Sequence, residues 1–259
     1  MTPPYEMEKW YDESYFFSER HGGKRWTDAE GKPHEFGYTH GGLWNFDGII
    51  RKLIELLGTP ESVLDIGAGT GGLVATLNDR FFIPALGLEF SGYAIDNAVM
   101  GAGKYLKRWD LEDIPWEVYG NSVADGLCIF DWVTAIDLFE HLFADKVDSV
   151  VAETKRRARR WIVAKICTAQ LPHEVWCARR GTYEEVLAQA KAEGYEWLVV
   201  SGHVNSQFPQ YWREKFQDDE WRLRDDLAER LKKELCLPDD WRCTLILEST
   251  KWFEREFGR

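Results

Sequence analysis

Residues 63–72 read VLDIGAGTGG, an apolar strand that carries one carboxylate and runs directly into a glycine loop. Gly67, Gly69 and Gly71 can take backbone angles closed to other residues, and without Cβ atoms they let a ligand come close to the main chain. The segment LVATLNDRF, beginning at Leu73, then reads as a helix. A strand, a glycine turn and a helix start in succession describe the first crossover of a doubly wound sheet, whose ligands lie at the carboxyl ends of its strands. The expected class is therefore α/β with a doubly wound, mostly parallel sheet.

Gly67, Gly69 and Gly72 also satisfy G-x-G-x-x-G, so the glycines by themselves admit a nicotinamide dinucleotide. Asp65 separates the two readings. A dinucleotide loop seats a pyrophosphate on helix-terminal N–H groups, whereas a carboxylate beside the loop favours a cation. Strand, acid and glycines together resemble motif I of the class I S-adenosylmethionine-dependent methyltransferases of small-molecule type. The resemblance implies S-adenosylmethionine as cofactor and a seven-stranded sheet with an antiparallel last strand. It also implies that Asp65, Gly67, Ala68, Gly69 and Gly71 surround the cofactor at its methionine end.

Ile83 to Leu88 reads as the second strand and ends at Glu89, where a doubly wound cofactor site needs an acid for ribose hydroxyls. FSGYAIDNA follows, with Phe90 able to lie against the adenine. KYLKRWDLEDIPW holds a third short strand leading to Asp110 and Leu111, then an acidic loop and Pro115. The resemblance implies that Asp110 accepts from the adenine amino group and that Leu111 lines the same pocket; a plain loop acid is the other reading of Asp110. Leu127 to Ile136 is apolar and β-branched, as a buried parallel strand should be. It runs into DLFEHL, which is similar to the segment after the fourth strand in small-molecule methyltransferases, and implies that Asp137 and Leu138 line the cofactor's outer side. The N/D-P-P-Y/F tetrad of nucleic-acid amino methyltransferases is not there.

A chain of 259 residues suits one α/β unit with additions, and a formal charge of −12 opposes an electrostatic grip on DNA or RNA. The basic run Lys155, Arg156, Arg157, Arg159, Arg160 is the exception, read here as the solvated last turn of a helix over Lys146 to Arg160. No run of about 18 apolar residues suggests a membrane span, and the start MTPPYEMEKWYDE lacks the regions of a signal peptide. Five cysteines without C-x-x-C and six histidines without metal spacing indicate reduced thiols in a cytoplasmic protein and no metal site. A small-molecule acceptor is the expected partner; oligomeric state is not encoded in any motif.

Residues 1–58 form an N-terminal cap and residues 59–259 the cofactor-binding domain. In the cap, Leu43, Phe46, Ile49, Ile50, Leu53, Ile54 and Leu57 share one helical face, terminated by Gly58. The opening YDESYF resembles starts in which aromatics close an active site, so Tyr11 and Tyr15 are either closing groups or core contacts. The cofactor half spans 62–168 and ends with a fifth strand, WIVAKICT; segments for the acceptor and a lid follow over 169–242, and the last strand over 243–250.

Two assignments fit the stretch between. Either TYEEVLAQAKAEG is a helix and YEWLVVS the sixth strand, or residues 170–201 are an insertion and GHVNSQFPQYWREKF supplies the loop and helix after the fifth strand. Both put His203 at the carboxyl edge of the sheet, which makes it the leading general base, because an imidazole titrates near neutrality. A loop histidine bonded to backbone is the other reading. His141, after Glu140 at a helix start, is the second catalytic candidate or a packing residue. Trp212 could wall an acceptor pocket, and DDEWRLRDDLAERLKKEL reads as an exposed or lid helix. The rival functions are an NAD(P)-dependent oxidoreductase using the same glycines, and a non-catalytic methyltransferase-like binding subunit.

Overall fold

The structure, a computed structural model, describes residues 10–12, 15, 24–27, 33–36, 46–112, 129–237 and 243–257. Leu43, Pro115 with most of its acidic loop, Leu127 and Cys128 at the expected start of the fourth strand, and most of the Gly-rich cap connection lie outside the described residues. Seven strands form the central sheet: β1 (Val63–Ile66), β2 (Ala85–Glu89), β3 (Leu106–Arg108), β4 (Phe130–Ile136), β5 (Ala158–Ile166), β6 (Trp221–Leu223) and β7 (Cys243–Ser249). Their spatial order is β6-β7-β5-β4-β1-β2-β3, parallel except that β7 runs antiparallel to both its neighbours. The order reverses between β1 and β4, which places a crevice outside their carboxyl ends.

Alternate residues along each strand feed two cores. Val63, Trp132, Trp161 and Ile246 face one layer with α1 (Phe46–Leu57), α2 (Gly72–Arg80) and the later helix α8 (Asp225–Glu234). Leu64, Val133, Ile162 and Leu245 face the other, under α4 (Ala144–Arg157) and α7 (Pro209–Phe216). That period-2 split makes each strand apolar on both faces, as a sheet covered twice requires. Helix α1 buries Ile49, Ile50, Leu53 and Leu57 and closes at Gly58 in the left-handed conformation, φ 82°, whose N–H donates to the Ile54 carbonyl at 2.9 Å.

The region after β5 follows the second of the two assignments. Trp176–Cys177 pairs antiparallel with Asn205–Ser206, and between them lie α5 (Tyr183–Glu193) and α6 (Glu196–Val200). YEWLVVS is thus a short helix rather than the sixth strand: β7 has one flank left to pair, and Trp221–Leu223 takes it. The charged stretch expected to be one lid helix divides accordingly into β6 and α8, and α8 buries Leu227, Ala228 and Leu231 against α1 and β7. Trp212 is not among the residues lining the crevice over the sheet edge; it is fully buried against Phe139, beside Phe216.

The basic run also divides. Helix α4 stops at Arg157, so Arg159 and Arg160 open β5, where both bond to the buried carboxylate of Asp131 on β4, at 2.7 and 3.3 Å. Glu153 takes Arg156 and the buried Arg157, and Lys155 pairs with Asp218. All five cations are paired within the fold. No helix among the described residues is long and apolar enough to cross a membrane.

Asp65, on β1, is buried and accepts a 2.6 Å hydrogen bond from Thr134 Oγ1 on β4. Burial pushes its carboxyl up to about 7, opposed by that hydrogen bond and assisted by the charge of Glu89. The folded protein therefore holds a proton on Asp65 that the unfolded chain releases near pH 4, and stability falls as pH rises between those values. Asp65→Asn is expected to flatten the slope of unfolding free energy between about pH 4 and 7, measured by urea denaturation across that range. Gly71 sits at φ 80°, and a Cβ there would stand 2.6 Å from Ala102 Cβ. Gly71→Ala is expected to cost about 2–4 kcal/mol. Gly69, φ 54°, has nothing within 4 Å of that position, so Gly69→Ala is expected to cost only about 1–2 kcal/mol in the same denaturation assay.

Candidate active site

Strand β1 ends at Ile66 and the chain turns over the sheet edge through Gly67, φ 71°, whose added Cβ would meet Leu138 Cδ1 at 2.8 Å. The loop is tied down by its own main chain. The N–H groups of Gly67 and Ala68 donate to the Leu88 carbonyl at 2.9 and 3.0 Å, and that of Gly71 donates to the Ala68 carbonyl at 2.9 Å. Gly69 N–H donates to Glu89 Oε2 at 2.6 Å, while Glu89 Oε1 accepts from Ser91 N–H at 2.7 Å. Gly87, a residue the sequence reading passed over, allows this closeness: a Cβ there would lie 2.7 Å from Ala68 Cβ.

A crevice of about 800 Å³, counted out to its open mouth, lies over these carboxyl ends. Gly67 and Gly69 form its floor, with Glu89 and Phe90 after β2, Asp110 and Leu111 after β3, and Asp137 and Leu138 after β4. His141 joins these eight in the lining, as do Tyr11 and Tyr15. Asp65, Ala68 and Gly71 stand beneath the lining rather than in it: Asp65 bonds to Thr134, and Gly71 makes room for Ala102. The acid that opens on the crevice beside the loop is Glu89, raised by burial and lowered by its backbone donors.

The lining includes four carboxyl side chains, Glu89, Asp110, Glu112 and Asp137, and neither lysine nor arginine. Asp137 occupies the left-handed region, φ 52°, and pairs with Lys165 Nζ at 2.5 Å. Asp110 Oδ1 accepts from Glu112 N–H at 2.9 Å. Glu112 was missed by the sequence reading, since nothing local distinguishes it from a solvated loop acid. Arg180, from the insertion, approaches it at 2.8 Å, yet its Oε1 is buried without a hydrogen-bond partner among the described residues. Burial, outweighing Arg180, raises the Glu112 carboxyl. A buried acceptor without a donor, on a residue that lines the crevice, is a place for a group that brings an N–H or O–H.

The N-terminal segment closes one side. Ser91 Oγ donates to the Tyr11 carbonyl at 2.6 Å, joining residues 80 positions apart, and the rings of Tyr11 and Tyr15 meet edge to face at 5.0 Å. Both tyrosines line the crevice, and Tyr11 also packs against the small core of Trp10, Phe143 and Trp176, so the core contact holds for it as well. Burial, with the charges of Glu89 and Glu140, holds the Tyr11 hydroxyl firmly protonated. His141 Nδ1 lies 3.2 Å from that hydroxyl and 3.0 Å from the Gly202 carbonyl. Because a carbonyl only accepts, the Gly202 contact places a proton on Nδ1.

His203, the leading base in the sequence reading, is not among the lining residues; its ring stacks edge-on behind His141, 5.1 Å between centroids. His141 takes the place at the wall. Position after the sheet edge was legible for both, but which of them faces the crevice depends on the insertion's path, set by Gly202 and the long-range bond from Val204 N–H to the Glu140 carbonyl at 3.0 Å.

No family model matches this sequence, and no curated protein does. Solved structures do match its fold. The plantazolicin methyltransferase BpumL, in complex with SAH, aligns with a TM-score of 0.50 at 13% identity, over 78% of this chain and 81% of that one. The plantazolicin methyltransferase BamL, in complex with a triazolic desmethylPZN analog and SAH, aligns with a TM-score of 0.50 at 14% identity, over 82% and 88%. At such identities the likeness speaks for the fold alone. With the strand order and the antiparallel β7 described above, that fold is the one shared by the class I S-adenosylmethionine-dependent methyltransferases.

Proposed function

We infer that the protein transfers a methyl group from S-adenosylmethionine to an oxygen, nitrogen or carbon atom of a small organic acceptor. One observation carries this reading over a dinucleotide: the glycine loop is closed by an acid. The N–H groups of Gly67, Ala68, Gly69 and Gly71 are all engaged within the protein, Gly69 with the Glu89 carboxylate itself. A pyrophosphate would meet a carboxylate where it needs donors. A sulfonium and an ammonium meet carboxyl groups, of which Asp137 and Glu112 are already paired with Lys165 and Arg180, so Glu89 and Asp110 carry the attraction. The non-catalytic alternative would need no second space, yet Tyr11, Tyr15, Glu112 and His141 extend the lining beyond the loop.

S-adenosylmethionine, when bound, supplies a methyl carbon activated by the positive sulfur. Glu89 accepts from the ribose hydroxyls with the lone pairs that Gly69 and Ser91 leave open, Phe90 lies against the adenine and Asp110 accepts from its amino group. Gly67 and Gly69 let the methionine end approach the main chain, with Asp65 anchoring the strand beneath and Ala68 and Gly71 shaping the turn. Asp137 and Leu138 bound the outer side, and Leu111 closes the adenine end. The remaining requirement is alignment, since an in-line displacement depends on holding donor and acceptor near contact. Tyr11 and Tyr15 exclude water from that line.

An acceptor hydroxyl or amine must also lose a proton. His141 is the imidazole at the wall, with Nδ1–H fixed by Gly202, which leaves Nε2 as its basic nitrogen. His203 supports the ring from behind. The four carboxyls of the lining disfavour a polyanionic acceptor, and among the described residues the basic run is paired within the fold rather than offered to nucleic acid. The buried thiol of Cys243 and the half-buried Cys167 and Cys177 suit the reducing cytoplasm.

Glu89→Ala is expected to weaken S-adenosylmethionine binding by about 1.5–3 kcal/mol, the range for charge-assisted hydrogen bonds; unchanged affinity by isothermal titration would remove Glu89 as the ribose ligand. His141→Asn is expected to lower turnover about 10²-fold or more while sparing that affinity. The assay incubates the protein and a methyl-labelled donor with fractionated small-molecule extracts and follows label by mass spectrometry. A protein that binds the donor but labels nothing would be the non-catalytic descendant.

A further inference from the structure

Behind the His141 wall, three segments distant in sequence converge. Glu140 comes from the turn after β4, Cys167 follows β5 directly, and His203 lies in the loop after α6. A ligating atom from each lies within 4.8 Å of the other two. Glu140 has no exposed surface, and its two oxygens are treated differently: Oε1 accepts from the Cys167 backbone N–H at 2.8 Å, while Oε2 is buried with no hydrogen-bond partner among the described residues. A carboxyl oxygen left so in the interior is costly unless something binds it.

We propose that Glu140, Cys167 and His203 form a three-ligand site for a divalent ion of the zinc class, which fastens the insertion to the carboxyl edge of the sheet. The donor chemistry selects the ion. One carboxylate, one thiolate and one imidazole suit zinc, whereas magnesium and calcium take oxygen alone. Bonds of about 2.0–2.3 Å in a tetrahedron separate ligand atoms by roughly 3.3–3.7 Å, so the set closes by at most about 1.5 Å. Three protein ligands leave a fourth position for water or a neighbouring group. The charge balances: the ion's two positive charges meet a thiolate and a carboxylate, whose protons leave to solvent on binding.

The surroundings already orient the ligands, through the Cys167 N–H bond to Oε1, the Val204 N–H bond to the Glu140 carbonyl, and the His141 ring against His203. Outer contacts of this kind tune metal sites. Since the ligands come from the ends of two sheet strands and from the insertion, binding joins the small core of Trp176, Val186, Leu198 and Val204 to the sheet.

The test uses the full chain, stripped with chelator and titrated with cobalt(II), then zinc(II), without any methyl donor. One equivalent of cobalt is expected to produce a thiolate charge-transfer band that zinc abolishes, and either ion is expected to raise the melting temperature. Cys167→Ser, a near-isosteric change, is expected to lose the band with an unchanged far-ultraviolet spectrum. Glu140→Gln and His203→Ala are expected to weaken cobalt binding about ten-fold or more. No band together with no metal-dependent melting shift would overturn the site, as would a band that persists in Cys167→Ser. Either result leaves the methyl-transfer reading untouched, because donor binding is measured separately.

Discussion

The Glu89 carboxylate is the joint on which this site depends. Strand β2 delivers it to the sheet edge, and its oxygens are divided between Gly69 N–H at 2.6 Å and Ser91 N–H at 2.7 Å. One side chain therefore fixes the glycine loop, the start of the helix after β2 and, through Ser91 and the Tyr11 carbonyl, the N-terminal segment. Charge-assisted bonds to backbone donors are among the stronger ones a protein makes. Fixing the loop in this way also underlies the proposed choice of donor, because the Gly69 N–H that could greet a phosphate already donates to a carboxyl.

Electrostatics then divides the molecule. Cations are consumed in pairing: Arg159 and Arg160 neutralise the buried Asp131, Arg157 neutralises Glu153, and Lys165 answers Asp137. The crevice keeps acids without lysine or arginine on its walls. Asp65, which the sequence alone singles out as the selecting anion, contributes differently. Buried beneath the loop and held by Thr134, it is raised to about 7, and the carboxyl that lines the crevice is that of Glu89.

The parts of the fold legible in the sequence are those fixed by local chemistry. Positive-φ glycines after an apolar strand announce the β1 turn, the acid at the end of β2 follows from strand length, and the face of α1 follows from 3.6-residue spacing. The insertion was open because its elements are short: Leu198 and Val199 form an apolar run that a strand or a helix accommodates equally, and only the competition for the β7 flank settles it. Trp221–Leu223 hid inside a charged stretch for the same reason. Glu112 and the choice of His141 over His203 depend on contacts from Arg180, Gly202 and Tyr11, tens of residues away. No local pattern carries such information.

These threads meet in the crevice itself, where the proposed reading lays a positively charged donor across Glu89. A crystal structure of the protein soaked with S-adenosylmethionine, compared with one soaked with a reduced nicotinamide dinucleotide, tests this most directly. The account predicts nucleoside density over the glycine loop with its ribose hydroxyls on Glu89, and nothing bound from the dinucleotide soak. Diphosphate density lodged on the loop, with the crevice vacant in the first soak, would contradict it.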